Sequence, residues 1–174
     1  VEEELYGDAI LTPHPERLIK AGQLPTLANV PGLEPRGALW VEIAIHGTPV
    51  QVFNTHLGLV PREQRMQAAA LVGHAWLGHP ERTGPTVLVG DFNAPPDTRP
   101  YQKIATRLRD AQRDPGLPKP LPTFPSSFPV LRIDHVFLSE GVACTRVQAP
   151  WSPLARMASD HLPLVVDLEL SPTA

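Results

Sequence analysis

The chain has 174 residues, of which 22 are proline and 42% are hydrophobic. The hydrophobic fraction is large enough for a buried core, and the proline content excludes a long-helix bundle or a coiled coil. The net charge of −3 argues against a protein that coats nucleic acid, because such proteins usually carry a basic excess. A single cysteine, Cys144, excludes an internal disulfide and a cysteine-rich zinc site.

No apolar run approaches the ~20 residues that span a bilayer, and no signal peptide is visible, so we expect no transmembrane segment. Together with the single cysteine, these features favour a cytoplasmic location. We expect residues 1–174 to form a single domain, since no linker or internal repeat divides the chain. The sequence gives no information on the oligomeric state.

Short runs rich in Val, Ile, Leu and Phe, bounded by Gly, Pro or Asp, predict strands. In chain order these are Asp8–Thr12, Ala38–Ile45, Val50–Thr55, Thr86–Gly90, Ile133–Leu138, Val142–Ala149 and Pro163–Leu170. Ala38–Ile45 shows the alternation of a half-buried strand, and Gly47-Thr48 predicts a hairpin turn after it. Val87-Leu88-Val89 is apolar on both faces and predicts a central strand.

Two helices are predicted between these strands. The first runs from about Pro61 to Leu77, since proline suits a first helical turn and apolar residues recur at helical spacing. On this helix Arg65 and Gln67 are predicted to face solvent. A shorter helix is predicted over Thr98–Leu108, followed by a long proline-rich loop from Arg109 to Pro129. The mixture of elements indicates an α/β or α+β fold.

Polar side chains cluster at the ends of four predicted strands, where a sheet holds them rigidly beside a loop. The clusters are Asn54-Thr55-His56, Gly90-Asp91-Phe92-Asn93, Arg132-Ile133-Asp134-His135 and Ser159-Asp160-His161. Such aspartates, histidines and asparagine suit a hard divalent cation with an acid–base pair, and oxygen ligands favour Mg²⁺, Mn²⁺ or Ca²⁺ over zinc. Phosphoester hydrolysis needs this kind of set, because phosphoryl charge must be neutralised and a water deprotonated.

Asp134 and His161 are a candidate pair in which the carboxylate fixes the tautomer of the imidazole. His135 follows Asp134 in the same predicted strand and is expected to face the opposite side, in a structural role. Two residues of these clusters also have purely structural interpretations: Asp91 as the start of a turn, and His56 as a strand-end histidine.

Five motifs occur in an order that resembles the endonuclease/exonuclease/phosphatase superfamily with the deoxyribonuclease-I-like fold. They are Tyr6-Gly7-Asp8-Ala9-Ile10-Leu11, Asn54-Thr55-His56-Leu57, Gly90-Asp91-Phe92-Asn93, Arg132-Ile133-Asp134-His135-Val136-Phe137 and Ser159-Asp160-His161-Leu162-Pro163. The resemblance covers nearly the whole chain and is greatest to small bacterial members. It implies an α/β sandwich of two packed mixed sheets flanked by helices.

The resemblance also implies metal-dependent hydrolysis of a phosphoester, with Mg²⁺, Mn²⁺ or Ca²⁺ as the cofactor and a phosphodiester as the favoured substrate. Nucleic acid, nucleotides and phospholipid head groups are all candidates, although the net charge does not favour nucleic acid. By position, the family match implies His161 as general base or electrostatic partner, with Asp134 orienting it. His56 is implied to bind the phosphate or assist the leaving group.

The remaining implied roles concern the water and the metal. Asp91 is implied to position or activate the attacking water and to bind metal, Asn93 to hold a phosphate oxygen, and Asp160 to lie near the metal. Family members also begin with a strand ending in Asn and a strand ending in Gln-Glu, whose glutamate is the principal metal ligand. Neither motif occurs here, so we expect an N-terminally truncated domain; Glu2–Glu4 form a charge run without a strand context.

The alternative hypothesis is a catalytically inactive domain that acts as a binding module. The segment Lys119-Pro120-Leu121-Pro122-Thr123-Phe124-Pro125 fits a basic-x-x-Pro-x-x-Pro ligand for an aromatic groove. A third interpretation is a pseudoenzyme with the fold but no metal. If the chain is an enzyme, the loop from Arg109 to Pro129 and the segment Gln148–Ser159 are expected to border the cleft and influence substrate choice.

Overall fold

The computed structural model describes residues 7–28 and 30–171. Within them lie the strands β1 (Glu16–Gln23), β2 (Gly37–Ile45), β3 (Thr48–His56), β4 (Thr86–Asp91), β5 (Arg109–Asp110), β6 (Asp134–Leu138), β7 (Val142–Gln148) and β8 (Val165–Leu170). The helices are α1 (Pro61–Val72), α2 (Arg99–Ala105) and α3 (Pro153–Ala158), with a 3₁₀ turn over Ala111–Arg113. Tyr6, from the first sequence motif, and the acidic run Glu2–Glu4 lie outside the described residues. No helix in the described ranges is long and apolar enough to cross a membrane.

Six strands form one mixed sheet in the order β1-β2-β3-β4-β6-β5. β3 and β4 run parallel, whereas the other neighbours are antiparallel. β4 has partners on both sides, which confirms the central strand predicted from Val87-Leu88-Val89. The predicted hairpin between β2 and β3 is also confirmed, but its turn lies one position before the predicted Gly47-Thr48, because Thr48 already pairs with Ile45. The turn residues His46 and Gly47 both have positive φ, as a two-residue type I′ turn requires.

The central sheet is covered by helices on one face and by a second sheet on the other. On the helical face, side chains from four strands, α1 and α2 form a fully buried cluster: Trp40, Phe53, Leu88, Phe137, Leu71 and Ile104. On the opposite face the two-stranded β7–β8 sheet packs through Val142, Cys144 and Val147 against Val87 and Val136. The mixed α/β sandwich predicted for the chain is therefore confirmed.

Six of the seven predicted strands are present, with bounds within two residues of the prediction. The strand predicted over Asp8–Thr12 is wrong, because residues 7–12 form no regular structure. The edge of the sheet is instead β1, whose mostly exposed residues lack the apolar signal of a buried strand. The half-buried character predicted for β2 is also wrong, since Trp40 is buried on one face and Val41 and Ile43 on the other.

Both predicted helices are shorter than expected, and the buried face of α1 is more polar. α1 begins at Pro61 as predicted but ends at Val72, where the chain becomes extended at Gly73. Gln67, predicted to be solvated, is fully buried. Its Oε1 accepts from the backbone N–H of Gly58 (2.8 Å) and its Nε2 donates to the carbonyl of Pro25 (3.2 Å). Its burial therefore satisfies backbone groups that would otherwise lack partners.

The region from Arg109 to Pro129 is not a continuous loop, because β5 and the 3₁₀ turn lie at its start. β5 pairs with β6 at the edge of the sheet. The buried Asp110 carboxylate accepts hydrogen bonds from the Tyr101 hydroxyl (2.7 Å) and from the Arg132 guanidinium. Packing around this carboxylate imposes regular structure on a segment in which the sequence pattern showed mainly prolines.

We expect Gly90→Ala to lower the free energy of unfolding by more than ~3 kcal/mol, a loss typical of backbone strain combined with a steric clash. Gly90 has φ +146°, and a Cβ there would lie 1.8 Å from the carbonyl oxygen of Thr55 in the neighbouring strand. Urea unfolding monitored by circular dichroism measures the loss. Gly116→Ala is the matched control, because Gly116 has φ +83° but no atom within 4 Å of the added Cβ, so strain alone should cost about 1 kcal/mol. Equal losses in the two variants would contradict the clash.

Candidate active site

Three polar side chains lie in a row at one edge of the central sheet. The register of the parallel strands β3 and β4 pairs His56 with Asp91. The antiparallel register of β4 and β6 pairs Asp91 with Asp134. His161, in the segment between α3 and β8, completes the group from outside the sheet, through a contact with Asp134.

These side chains line an open cavity of ≈ 620 Å³. All the site residues predicted from the sequence border it: His56, Asp91, Asn93, Asp134, Asp160 and His161. Glu34, Arg36, Leu59, Phe124 and Leu131 contribute further walls. The fold thus brings four motifs that are distant in sequence to one opening.

His56 is oriented by contacts on both ring nitrogens. The guanidinium of the buried Arg36 lies 2.9 Å from Nδ1. Because a guanidinium only donates, Nδ1 is the acceptor in this contact and the ring N–H is on Nε2. Nε2 lies 3.3 Å from Oδ2 of Asp91 and 3.2 Å from Nδ2 of Asn93. His56 therefore directs its Nε2–H donor towards the Asp91 carboxylate at the edge of the cavity.

Asp91 and Asn93 form a turn that fixes both side chains. The backbone N–H of Asn93 donates to Oδ1 of Asp91 (2.8 Å), a side-chain turn that Asp readily makes. Asn93 has φ +48°, a left-handed conformation in which Asn is enriched, and its Nδ2 donates to the carbonyl of Leu57 (3.0 Å). Asp91 is thus a turn residue whose second carboxylate oxygen remains directed towards the cavity.

Asp134 and His161 form a hydrogen-bonded pair, with Nδ1 of His161 2.8 Å from Oδ2 of Asp134. The same oxygen accepts from the hydroxyl of the buried Thr123. The Phe124 ring packs on the imidazole at a centroid distance of 4.8 Å. Since Nδ1 donates to Asp134, Nε2 faces the cavity, 3.8 Å from Oδ2 of Asp91.

The charge around His161 changes its proton affinity. Burial by itself would lower the pKa of His161, but the hydrogen bond with Asp134 and the negative charges of Asp134, Asp91 and Asp160 together raise it above its ordinary value of 6.5. His161 therefore holds a proton more strongly than an ordinary histidine, which suits a group that stabilises negative charge or donates a proton.

Asp8, from the first sequence motif, lies close to Arg36 and His56, and the three border a neighbouring cavity of ≈ 290 Å³. Burial raises the pKa of Asp8, although the charges of His56 and Arg36 act in the opposite direction. The carboxylate and these two side chains thus form an electrostatically linked group beside the main cavity.

His135 faces away from Asp134, as expected from the alternation of a strand. Its ring is buried against Phe92 and Tyr101, and Nε2 lies 2.8 Å from the carbonyl oxygen of Ala94. Burial, only partly offset by the hydrogen bond to Ala94, lowers its pKa to about 4. His135 therefore remains neutral and structural at physiological pH.

Sequence reasoning missed several residues that contact the predicted ones, among them Arg36, Thr123 and Phe124. The signal for Arg36 lay in the predicted hairpin, because the β2–β3 register counted from the turn places residues 36–37 beside His56. Thr123 and Phe124 carry no such signal. They reach Asp134 and His161 because the chain from Phe124 to Leu131 folds back through an isolated antiparallel bridge.

The chemistry of the donors fits a hard divalent cation. Among the described residues, Asp91, Asp134 and His161 each offer one ligand atom, and these atoms lie within 4.8 Å of one another. Asp160 is exposed on the wall of the same cavity. Mg²⁺ is commonly held by one or two carboxylates, with water and substrate oxygens completing its coordination, so this carboxylate-rich opening suits it better than a zinc cage.

The sequence pattern of the Endonuclease/Exonuclease/phosphatase family matches residues 8–161. The chain therefore belongs to this family, whose members are hydrolytic phosphoesterases that generally depend on a divalent metal. The family includes phosphatases, nucleases and phosphodiesterases. Membership accordingly places the chain in a family whose members act on several kinds of phosphoester.

An uncharacterised protein of Escherichia coli, YbhP, is 29% identical over 169 residues, which cover 95% of this chain and 63% of YbhP. The chain thus spans less than two thirds of that relative. Among solved structures, the mannosyl-6-phosphatase Bt3783 of Bacteroides thetaiotaomicron matches with a TM-score of 0.73 and 20% identity, over 89% of this chain and 67% of that one. The human Nocturnin catalytic domain, solved with a sulfate anion, matches with a TM-score of 0.66 and 21% identity, over 90% of this chain and 60% of the Nocturnin chain. These likenesses show a shared fold.

We expect His135 to make the protein acid-sensitive. An unfolded histidine titrates near 6.5 and His135 in the folded chain at about 4. Between these values the unfolded chain binds more protons, so stability falls as pH decreases, by up to about 3 kcal/mol. Free energies of unfolding at pH 7 and pH 4.5 test the effect. His135→Gln removes this titration and should show a smaller loss between the two pH values than the wild type; an equal loss would contradict the assignment.

Asp134→Asn should lower the pKa of His161, because it removes the main opposing charge while the burial that disfavours imidazolium remains. The pKa of His161 should therefore be lower in the variant than in the wild type. Titration of the imidazole signals by NMR measures the change. Asp167→Asn is the control, since Asp167 is an exposed strand residue paired with Arg146, and it should leave the titration of His161 unaltered. An unchanged His161 pKa in Asp134→Asn would overturn the role of the pair.

Proposed function

We propose that this chain is a metal-dependent phosphodiesterase whose catalytic residues are His56, Asp91, Asn93, Asp134 and His161. The observation that carries the proposal is the convergence of these side chains on one cavity, with Asp134 hydrogen-bonded to His161 and Asp91 between two imidazoles. Family membership supports the reaction class. The choice of a diester and the individual roles are the proposal.

The phosphate is bound by donors on one side of the cavity. Arg36, which also pairs with Glu34, supplies a buried cation, and the Nε2–H of His56, directed towards Asp91, is a second donor beside it. Asn93 is fixed by its bond to Leu57 and presents its amide in the same opening. Positive charge and donors held in place before the substrate arrives stabilise the charge that develops on the phosphoryl oxygens.

The attacking water is deprotonated beside Asp91, next to these donors. Asp134 and the neighbouring carboxylates raise the pKa of His161, which favours its role as the electrostatic partner of the reacting phosphate, and Oδ2 of Asp91 receives the proton of the water. Asp134 retains the Nδ1 proton of His161, so only Nε2 of that ring faces the reaction. Asp134 thus orients His161 and favours its charged form.

Asp91 and Asp160 are the proposed metal ligands, with Mg²⁺ or Mn²⁺ as the cation and Ca²⁺ as the third hard cation that oxygen ligands accept. When bound, the metal supplies Lewis-acid stabilisation of the phosphoryl charge. Asp134, whose Oδ2 accepts from both His161 and Thr123, is assigned to the histidine rather than to the metal.

A binding module that acts through the proline-rich loop is not favoured. Thr123 in the middle of the ligand-like segment is fully buried and donates to Asp134. Leu121 and Pro122 are half-buried and line a groove of this chain. The segment is therefore occupied by contacts within its own domain, whereas a polyproline ligand must present its side chains to a partner.

Hydrolysis of bis(4-nitrophenyl) phosphate and 4-nitrophenyl phosphate, with added Mg²⁺ or Mn²⁺, tests the proposal. We expect metal-dependent release of nitrophenol, faster from the diester, and loss of activity with a chelator. Asp91→Asn and His161→Gln should each lower kcat at least 100-fold, the size of a lost acid–base or electrostatic contribution. Including the monoester also tests the reaction named for the phosphatase Bt3783.

His74→Gln is the matched control, because His74 is exposed and lies after α1, away from the cavity lining. It should retain wild-type activity. Either of two results would overturn the proposed function: no hydrolysis above the metal-only background, or full activity in Asp91→Asn and His161→Gln.

A further inference from the structure

An uncharged groove lies beside the candidate active site. It has a volume of ≈ 360 Å³, and its walls include Leu121, Pro122, Phe128, Pro129, Trp151 and Leu162. None of these side chains carries a charge, in contrast to the neighbouring cavity lined by Arg36, Asp91 and His161. A surface without charged side chains next to a cavity that contains them suits a ligand that is itself part charged and part apolar.

Hydrogen bonds join this groove to the active-site segment. The indole Nε1 of Trp151 donates to the carbonyl of Ser126 (3.0 Å), and the backbone N–H of Ser126 donates to the carbonyl of Asp160 (2.7 Å). Leu162 directly follows His161, and its N–H donates to the carbonyl of Thr123 (2.8 Å). The groove is therefore fixed relative to the proposed phosphate site rather than carried on an independent loop.

The aromatic side chains of the groove are exposed, yet Trp151 is held in one orientation. Trp151 is 60% exposed and Phe128 is 73% exposed. The indole is fixed at Nε1 by Ser126, and the Arg156 guanidinium lies 5.1 Å from its ring centroid. A large apolar surface that remains uncovered but oriented is typical of a ligand-binding site.

We propose that the groove formed by Leu121, Phe128, Trp151 and Leu162 binds an uncharged apolar substituent, aryl or alkyl, of the phosphodiester whose phosphate occupies the catalytic cavity. This inference rests on the proposed function and specifies its substrate class. Charge complementarity supports it, because the side chains that line the groove are uncharged and the nearby Arg156 packs on the Trp151 ring, whereas each phosphate of a nucleic-acid strand requires cations or donors. The substrate is thus a diester with one apolar arm.

Three 4-nitrophenyl phosphodiesters that share the leaving group and differ in the second substituent test the proposal: methyl, phenyl and hexyl. We expect wild-type kcat/KM to be about tenfold higher or more for the phenyl or hexyl ester than for the methyl ester, the ratio that about 1.4 kcal/mol of apolar contact produces. A preference for the phenyl ester identifies the apolar substituent of the substrate as planar. A preference for the hexyl ester identifies it as chain-like.

The double variant Phe128→Ala, Trp151→Ala should reduce this ratio to near one, with kcat/KM on the methyl ester unchanged. Leu18→Ala is the matched control, because Leu18 is also an exposed hydrophobic residue (58%) but lies on β1, outside the groove lining. It should preserve the wild-type ratio. An equal ratio in the wild type and the double variant, with hydrolysis of all three esters intact, would overturn the groove and leave the proposed function standing.

Calorimetric binding of phenyl phosphate and methyl phosphate separates the two proposals if no ester is hydrolysed. Tighter binding of phenyl phosphate that is lost in the double variant supports the proposed groove even where the proposed catalysis fails. Equal affinities for the two phosphates overturn the groove proposal.

Phosphatidylcholine vesicles provide the last comparison. Vesicle binding by the wild type but not by the double variant, without any preference among the esters, would assign the surface to a membrane and also overturn the proposal.

Discussion

The position of every site residue depends on the pairing of β4 with β3 on one side and with β6 on the other. Backbone hydrogen bonds set these registers to the residue, and a slip by one position would turn Asp91 to the opposite face of the sheet. The close approach of β3 to Gly90 allows the parallel ladder to continue to the last residue of β4. His56 and Asp134 then lie beside Asp91, and Asp134 in turn holds His161.

A buried polar network supports this edge from behind. Arg132 and Tyr101 both bond to the Asp110 carboxylate, and Arg132 also approaches His135. Burial, with the hydrogen bond to Asp110, raises the pKa of Tyr101 to about 12, so the phenol stays a donor. Of the ionisable residues in the motif Arg132-Ile133-Asp134-His135, only Asp134 lines the cavity. Arg132 and the neutral His135 instead stabilise the strand that presents it.

The family fold accommodates enzymes that act on different phosphoesters, so the fold alone does not identify the substrate. In this chain the proposed phosphate-binding residues Arg36, His56 and Asn93 come from the strands and their immediate ends. The surface that would distinguish one substituent from another comes from loop segments, around Phe128 and Trp151. In the proposed function, reaction chemistry and substrate selectivity thus rest on separate parts of the structure.

Strands buried on both faces were predictable, because their apolar runs end at Gly or Asp; β1 was not, because an edge strand with exposed side chains resembles a loop. The sequence by itself also identified the side chains that border the candidate site, since His56, Asp91, Asn93, Asp134, Asp160 and His161 belong to motifs at or near strand ends. Only the tertiary structure decided that His161 touches Asp134, 27 positions away, and that Arg36 and Thr123 join them. Local patterns encode burial and strand ends, whereas contacts between distant segments depend on how sheet register and loop packing bring them together.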